Sequence, residues 1–395
     1  MLGGLLVATE SRMRGSSVVT AKKRRLIKGG FDLPFFVLVM IILMLGLVMM
    51  FSASYAYAYY KKGQDSFFFI RKQALWAAMG LVIMMVMSRI DYHWLHKLAW
   101  PVMGISYILL AAVLVLPAHN DKGIHRWIYI GSLNFQPSEI AKFAVILLFA
   151  HLISKNYSKM KTFKYGVLPF ILILGSIAVL MLKEPHVSGT VLILLIGFSL
   201  MFIGGTPFKW FAGGFGLAGA AVAGIVIFTH AIDYAKARLK YWLDPYSDPT
   251  GNGWQTLQSL YGIGSGGLMG LGLGNSRQKY LYISEPQNDF VFAIVCEELG
   301  FIGATIVILL FILLLWRGFV IAMRAPDKFG AMLAVGLTIQ VGVQALLNIA
   351  VVTNTIPNTG ISLPFFSYGG TSLVMLLFQM GIILSVSRFS STEQT

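Results

Sequence analysis

The sequence predicts an all-α integral membrane protein with ten transmembrane helices and one long extracytoplasmic loop. The chain is 57% hydrophobic and only 12% charged, with a mean hydropathy of +0.74, which excludes an ordinary soluble domain. Its apolar residues fall into runs of about twenty, the length that crosses the hydrocarbon core of a bilayer. Its lysines and arginines are concentrated on alternate connections between those runs.

The ten runs follow one another within a single membrane domain, residues 31–388. The fifth and sixth runs are separated only by residues 183–186, so a broken or re-entrant pair remains an alternative there. The runs are 33–53, 73–90, 98–116, 138–154, 166–182, 187–204, 207–230, 289–316, 330–353 and 363–387.

The distribution of positive charge predicts the orientation. With the N-terminus inside, the cytoplasmic segments carry 18 of the 31 lysines and arginines, which is the bias expected of cytoplasmic loops. Both termini are therefore predicted to be cytoplasmic, as a basic tail at 1–30 that is expected to be disordered and a short tail at 389–395. The segments predicted to lie outside are 117–137, 231–288 and 353–362.

The net charge of +15 does not require a nucleic-acid partner. Four of the positive charges form a juxtamembrane cluster at 22–25, which favours attraction to anionic lipids. This cluster lacks the interleaved aromatic residues of a nucleic-acid-binding patch. The single cysteine, Cys296, falls at membrane depth, so neither a disulfide framework nor a cysteine metal site is predicted.

The long outer loop, 231–288, divides into two parts. Residues 232–250 are polar and aromatic, whereas 251–274 contain nine glycines. That glycine content favours turns and close backbone approach over a packed core. A loop of this length is expected to have a function of its own.

Three carboxylates stand at the head of the run 289–316, where an unpaired charge at membrane depth is costly. If Asp289 opens this helix at the outer interface, Glu297 and Glu298 lie roughly 12 Å deeper. There they must be protonated or paired, and Lys142 is the candidate partner. Asp289 can be hydrated and reach a polar substrate, which makes it the candidate general base. Capping of the helix is its alternative role.

The sequence Pro137-Ser138-Glu139 predicts a helix start, with Glu139 in the first turn, where the helix dipole favours an anion. Lys142 lies three residues later on the same face, so the two side chains are predicted to pair. The pair either orders the helix entrance or directs the lysine at a phosphate-bearing lipid head group.

Two further polar segments lie at the same side of the predicted bundle. His186 stands between two closely linked runs and can titrate or bind a metal, although one histidine makes no metal site. The segment 356–372 contains prolines and a glycine pair, which predicts irregular backbone. Such backbone is tolerated at membrane depth only where it is buried in protein or lines a cavity.

Four motifs occur together and in a fixed order. They are Arg126-Trp127 with Phe-Gln-Pro-Ser-Glu at 135–139, the glycine-rich stretch 261–274, Asp289-Phe with Glu-Glu-Leu-Gly at 297–300, and Leu-Pro-Phe-Phe-Ser-Tyr-Gly-Gly at 363–370. This combination resembles the SEDS family (shape, elongation, division and sporulation), and most closely its FtsW and SpoVE branch. The resemblance covers about residues 31–388.

The resemblance implies a ten-span peptidoglycan glycosyltransferase that polymerises lipid II, the polyprenyl-pyrophosphate-linked disaccharide peptide. It places the reaction at the outer face of the bacterial cytoplasmic membrane, in division or sporulation. It implies that Asp289 is the catalytic base of an inverting transfer with polyprenyl pyrophosphate as the leaving group. It also implies a class B penicillin-binding protein as partner, together with other membrane proteins of the division or elongation machinery.

The residues expected to bind the substrate fall into two groups. Cations that would stabilise the leaving pyrophosphate are Arg126, Lys142, Arg238, Lys240, Arg277 and Lys279. Polar and aromatic residues of the matched motifs are Trp127, Gln136, Ser138, Glu139, Ser367 and Tyr368. Structural or supporting charges are expected at Glu297, Glu298 and His186. A divalent cation, Mg²⁺ or Mn²⁺, at the pyrophosphate is left open, because the sequence offers no set of metal ligands.

The chain departs from the family pattern near the proposed base. No histidine precedes Asp289, and Leu281 stands where some relatives carry an acidic residue. That secondary carboxylate is therefore absent, which weakens any mechanism that needs a second acid nearby.

A transporter or lipid II flippase is the main alternative from another class, with Lys142, Glu297 and Glu298 lining a translocation path. A flippase requires polar side chains through to the cytoplasmic side, whereas most polar features here cluster on one side of the membrane. A non-catalytic scaffold for a division complex is a third alternative, and it is compatible with the enzyme.

Overall fold

The computed structural model describes residues 30–116, 126–130, 133–184, 186–213, 240–251 and 253–389. Long apolar helices dominate these ranges. In chain order the helices are α1 (Leu33–Lys61), α2 (Phe68–Arg89), α3 (His93–Val115), α4 (Pro137–Asn156), α5 (Phe163–Gly166), α6 (Leu168–Lys183), α7 (Val187–Ile203), α8 (Trp254–Gly266), α9 (Val291–Met323), α10 (Lys328–Val352) and α11 (Gly370–Arg388). Short 3-10 turns occupy Tyr157–Lys159 and Pro245–Ser247.

Eight helical segments of the described chain are long and apolar enough to cross a membrane: α1 to α4, α5 with α6, and α9 to α11. Helix α7 is also apolar but has only 17 residues. The predicted class, a multi-pass helical membrane protein, is confirmed. The predicted run 207–230 lies mostly outside the described residues, as do the tails at 1–29 and 390–395. The total of ten spans therefore stays a prediction.

Successive long helices run in alternating directions, which gives the bundle two ends. The site end carries the starts of α4, α9 and α11, and the far end carries the starts of α1 and α10. At the far end Arg317 of α9 forms an ion pair with Asp32 at 2.7 Å. Asp32 also caps α1, because its carboxylate accepts a hydrogen bond from the Phe35 backbone N–H at 2.9 Å. These contacts join the first helix to the ninth.

Helix α4 lies inside the bundle, in contact with α3, α7 and α10. It is apolar around its whole circumference, since residues 145–148 are all fully buried although they point in different directions. The polar residues of its first turns, Ser138, Glu139 and Lys142, are consequently carried into the interior at the site end.

A two-stranded antiparallel hairpin precedes α4 and is an exception to the otherwise helical fold. Strand β1 (Ile128–Ile130) pairs with β2 (Leu133–Phe135), with Ile128 opposite Phe135. Their β-branched and aromatic residues favour extended backbone. Because Ile128 and Phe135 pair, the flanking residues Trp127 and Gln136 emerge at the same end of the hairpin.

The glycine-rich segment 251–274 is more ordered than the sequence predicts. Its residues 254–266 form helix α8 rather than a series of turns, and α8 packs against α9. The predicted close backbone approach is present, because a Cβ added at Gly266 would lie 2.0 Å from the Cys296 carbonyl oxygen. The glycine therefore permits contact between the two helices that any larger residue would prevent.

Helix α9 is interrupted at Gly300, whose φ of 66° and ψ of −167° are not helical. The segment 267–272 enters this break and supplies the missing hydrogen bonds. Backbone N–H groups of 271 and 272 donate to the carbonyls of Glu297 and Glu298 at 2.9 and 3.0 Å. The N–H groups of 301 and 302 donate to the carbonyls of 267 and 268. These four bonds give partners to backbone groups that would otherwise be left unpaired at membrane depth, where water is absent.

The segment between α10 and α11 has the irregular backbone that its prolines and glycines predict. Phe365 adopts a positive φ of 66°, and Leu363 and Phe366 are each 1% exposed. The predicted run 363–387 was placed too early, because α11 begins only at Gly370. Prolines and the glycine pair exclude a helix there although the residues are apolar.

Candidate active site

A cavity of about 330 Å³ opens at the site end and collects most of the predicted site residues. The hairpin, the start of α4, the start of α7, the loop before α9 and the segment before α11 all contribute to its wall. The predicted residues that line it are Arg126, Trp127, Gln136, Ser138, Glu139, Lys142, His186, Asp289 and Tyr368. Lining residues that the sequence analysis did not single out include Trp76, Ser188, Asn288, Gln344, Ser362 and Ser372.

Asp289 is held by its backbone rather than by its carboxylate. Its carbonyl accepts a hydrogen bond from Asn348 Nδ2 at 2.7 Å, and the same amide donates to the Ile361 carbonyl at 2.7 Å. Gly360, with φ of +66°, approaches so closely that an added Cβ would lie 3.2 Å from Asp289 Oδ2. Asp289 is not the cap of α9, because that position is Phe290 and no side-chain capping bond is made there.

Burial raises the pKa of Asp289 to about 6, and the neighbouring Glu285 carboxylate raises it further, whereas Arg126 opposes the shift. At neutral pH the carboxylate is mostly ionised yet close to its pKa. That is the condition under which a carboxylate works best as a general base.

Two acids that the sequence analysis did not propose act on Asp289 or on Arg126. Glu285 is one, and Glu184 at the end of α6 is the other, since it interacts with Arg126. Burial raises the pKa of Glu184 to about 7, against the effect of Arg126. The pKa of Arg126 is lowered by burial, while Glu184 and Asp289 oppose that change. Leu281 carries no carboxylate, as expected, but Glu285 supplies one that acts on Asp289.

His186 lies on the cavity wall and is neutral, not a supporting charge as predicted. Burial lowers its pKa to about 4, and Arg126 and Lys142 lower it further. A neutral imidazole offers one donor and one acceptor to a bound molecule. The described residues contain no cluster of three His, Cys, Asp or Glu side chains suited to a metal.

The predicted pair of Glu139 and Lys142 is present, with 2.8 Å between Lys142 Nζ and Glu139 Oε1. Lys142 also donates to Gln344 Oε1 at 3.4 Å, and Gln344 Nε2 donates to the Ser362 carbonyl at 3.0 Å. Ser362 belongs to the segment before α11, so this network connects α4, α10 and that segment. It holds the ammonium group of Lys142 on the cavity wall.

A second cavity, of about 630 Å³, reaches Asp289 from another side. Asn288 and Asp289 line both cavities. Tyr57 of α1 donates a hydrogen bond to Glu285 on its wall at 3.4 Å. The candidate base therefore belongs to the walls of both cavities.

The predicted pairing of Glu297 and Glu298 with Lys142 is wrong. Glu298 instead pairs with Lys279 at 2.9 Å, and both side chains are fully buried. Glu297 accepts a hydrogen bond from the Arg277 backbone N–H at 2.9 Å. Lys279 therefore does not point into either cavity, and its expected role in substrate binding is corrected to a buried ion pair.

Neither of these two cavities is lined by three further predicted contacts, Lys240, Arg277 and Ser367. Lys240 and Arg277 are exposed and line neither cavity. Ser367 is buried beside Tyr368, where its hydroxyl accepts a hydrogen bond from the Leu363 N–H at 2.7 Å. Arg238 lies outside the described residues.

Known proteins similar to this chain share almost its whole length. It is 40% identical over 363 residues to stage V sporulation protein E of Bacillus subtilis (strain 168), covering 91% of this chain and 97% of the relative. It is 38% identical over 359 residues to a probable peptidoglycan glycosyltransferase FtsW of Geobacter sp. (strain M18), with the same two coverages.

Solved structures give the same result. A chain from a peptidoglycan synthase complex, studied for its coordination of polymerization and crosslinking, has a TM-score of 0.75 at 29% identity, covering 91% of this chain and 98% of that one. The rod shape determining protein RodA of Thermus thermophilus has a TM-score of 0.65 at 28% identity, covering 91% and 97%. The family model FTSW_RODA_SPOVE, described as "Cell cycle protein", matches residues 32–392. The chain belongs to the FtsW, RodA and SpoVE family.

Proposed function

We propose that this protein is a peptidoglycan glycosyltransferase that polymerises lipid II into glycan strands in cell division or sporulation. The observation that carries the proposal is the position of Asp289, a half-buried acidic residue that lines two cavities, one of which is also lined by cations. The relative named as a probable peptidoglycan glycosyltransferase and the peptidoglycan synthase structure support the same activity.

The reaction takes place at the outer face of the cytoplasmic membrane in this proposal, and both termini are cytoplasmic. Support comes from the 18 of 31 lysines and arginines on the segments assigned to the inside. The site end of the bundle then faces outwards, where lipid II presents its sugars and peptide.

The cavity lined by Arg126 and Lys142 receives the donor, with its pyrophosphate directed towards these cations. Charge develops on the pyrophosphate as its bond to the sugar breaks, and fixed cations in a partly buried site stabilise that charge. The neutral imidazole of His186 can hydrogen-bond the donor without adding charge. The second cavity, beside Glu285 and Tyr57, receives the acceptor sugar.

The chemical step is one inverting displacement. Asp289 removes the proton from the 4-hydroxyl of the acceptor N-acetylglucosamine, and the oxygen attacks the anomeric carbon of the donor N-acetylmuramic acid. The bond from that carbon to the pyrophosphate oxygen breaks with its electron pair, so polyprenyl pyrophosphate leaves and the α linkage becomes β. Proton transfer of this kind typically contributes about 10²–10⁴-fold to the rate. Pyrophosphate leaves as a stable anion, so the step requires no general acid.

The described residues do not assemble a metal site of their own, and no step is assigned to a metal. A class B penicillin-binding protein and other membrane proteins of the division machinery are proposed as partners. The polymerization and crosslinking combined in the similar synthase complex support a crosslinking partner.

A transporter is disfavoured by the position of the cavities. The residues that line them all belong to the site end, whereas a translocation path requires polar lining towards the far end as well. Beneath Lys142, residues 145–148 of α4 are fully buried and apolar.

The test is Asp289→Asn in the full-length protein with its crosslinking partner, reconstituted with lipid II. The expected result is a fall in polymerisation rate of about 10²–10⁴-fold, because the amide cannot accept the proton. Asp65→Asn, which changes a surface carboxylate paired with Arg71, is the control and should retain the full rate. Full activity of Asp289→Asn would remove Asp289 as the base, and lipid II movement without polymer would favour a transporter.

A further inference from the structure

The loop that carries Asp289 begins at a group of buried charged and polar side chains. Residues 276–279 lie against Glu297 and Glu298 of α9, and the chain then runs outwards to Asp289. The buried group, which we name the loop clamp, consists of Ser52, Ser276, Lys279, Glu297 and Glu298. None of these residues lines either of the two cavities.

Glu297 binds the loop through both carboxylate oxygens. Its Oε1 accepts from the Arg277 N–H at 2.9 Å, and its Oε2 accepts from Ser276 Oγ and from the Gln278 N–H at 3.4 Å. All three donors belong to consecutive residues of the loop. An ionised carboxylate suits them, because each of its oxygens is only an acceptor.

Glu298 and Lys279 connect the loop to α1 as well as α9. Ser52 Oγ donates to the Glu298 carboxylate at 2.7 to 2.8 Å. Lys279 Nζ donates to Glu298 Oε1 at 2.9 Å, to the Gly274 carbonyl at 2.6 Å and to Ser52 Oγ at 3.4 Å. An ammonium group has three donors, so these bonds leave none for a substrate phosphate.

The part of the loop between the clamp and α9 is held by hydrogen bonds between uncharged groups. Trp254 Nε1 donates to the Tyr282 carbonyl at 2.6 Å, and the Tyr368 N–H donates to the Gln287 carbonyl at 2.8 Å. The Asp289 carbonyl then accepts from Asn348. Displacement at the clamp would therefore be transmitted along a short, tethered segment to Asp289, which lines both cavities.

We propose that Lys279, Glu297 and Glu298 are positioning residues that set the location of Asp289 by clamping its loop between α1 and α9. This inference rests on the proposed function of Asp289 as the base. Removal of one member of a buried ion pair leaves an uncompensated charge. Single substitutions of Lys279 or Glu298 should therefore displace the loop more than replacement of both residues by neutral ones.

The kinetic test uses Lys279→Met, Glu298→Gln and the double variant in the reconstituted full-length protein with its partner. Each single variant is expected to lose about 10- to 100-fold in kcat while KM for lipid II changes little, as for a misplaced catalytic group. The double variant should regain part of that loss. Asp32→Asn, which breaks the ion pair at the far end, is the matched control for general destabilisation.

The pH profile distinguishes positioning from a loss of folded protein. The acid limb of the wild-type rate is expected near the Asp289 pKa of about 6, in the presence of Glu285 and Arg126. A loosened loop admits water to the carboxylate, so its pKa falls and the acid limb moves to lower pH. Fewer folded molecules would lower the rate without moving the limb. A rate loss with an unmoved limb, or a loss confined to KM, would overturn the proposal.

Amide hydrogen exchange provides a readout that does not depend on activity. Peptides covering 276–289 should exchange slowly in the wild type and at least about tenfold faster in Glu297→Gln, whose amide group faces loop donors. Ser52→Ala, a milder variant, should give a smaller increase in the same peptides, and Asp32→Asn none. Unchanged exchange in Glu297→Gln would overturn the clamp. The two proposals can fail separately. If Glu297→Gln speeds exchange but the wild-type protein makes no polymer, the proposed function is refuted and the clamp is not.

Discussion

Two buried lysine–glutamate pairs of this protein have the same chemistry and different surroundings. Lys142 and Glu139 lie 2.8 Å apart on the wall of the first cavity, and Lys142 also bonds Gln344. Lys279 and Glu298 lie 2.9 Å apart with no exposed surface, and all three ammonium donors of Lys279 are used. Residue type therefore does not decide whether a lysine can bind substrate. The lysine must line a cavity and keep an ammonium N–H free of hydrogen bonds within the protein.

The largest effect expected from this comparison is on catalysis, at the pair formed by Lys142 and Glu139. Lys142→Met should lower kcat/KM for lipid II by about 10²–10³-fold, because the leaving pyrophosphate loses a fixed cation. The free energy of unfolding should fall by only about 1 kcal/mol, since water in the cavity can solvate Glu139. Polymerisation kinetics and thermal unfolding of the same preparation would check both values. Lys142→Arg, which keeps the charge, should lose less activity.

At the buried pair, a larger loss of stability is expected than at the pair on the cavity wall. Lys279→Met should lower the free energy of unfolding by about 3–5 kcal/mol, because it leaves the Glu298 carboxylate unpaired in the interior. The double variant with Glu298→Gln should recover more than half of that loss. Denaturant unfolding in detergent would measure it. If Lys142→Met and Lys279→Met destabilise the protein equally, the distinction between the two pairs fails.

A smaller effect concerns stability at Asp289. The folded state raises the pKa of this carboxyl from its ordinary value near 4 to about 6, so the fold favours the protonated form. That contribution to stability is complete below pH 4 and is lost as the pH rises through 6. Asp289→Asn should therefore increase the free energy of unfolding by about 1–3 kcal/mol at pH 7.5 and hardly at all at pH 4. Equal stability of the two proteins at pH 7.5 would show that the folded protein does not disfavour the Asp289 charge.

Hydropathy was enough to predict most helices of this fold. Nine of the ten predicted runs coincide with helices in the described part of the chain, because a bilayer demands about twenty apolar residues per span. The prediction failed where backbone chemistry overrides hydropathy. Prolines prevent α11 from beginning before Gly370. The glycines of 254–266 do not prevent helix α8, in which they allow close contact with α9.

The site was predicted in outline but not in its pairing. The helix-start pattern at 137–142 gave the bond between Glu139 and Lys142, because a three-residue spacing fixes their geometry. The partner of Glu298 could not be derived in this way, since Lys279 belongs to a loop that folds back onto α9. Glu184 and Glu285 were missed because their approach to Arg126 and Asp289 depends on tertiary structure. Only their short distance in sequence from His186 and Asp289 could have suggested them.

The interruption of α9 at Gly300 constrains the length of the loop between α8 and α9. Loops on protein surfaces usually accept insertions and deletions, because their backbone is solvated. The segment 267–272 is different, since its N–H and carbonyl groups complete a transmembrane helix in register. A change of one residue there would strand the carbonyls of Glu297 and Glu298 in a medium without water. Insertions and deletions in 267–272 should therefore be tolerated no better than insertions and deletions within a transmembrane helix.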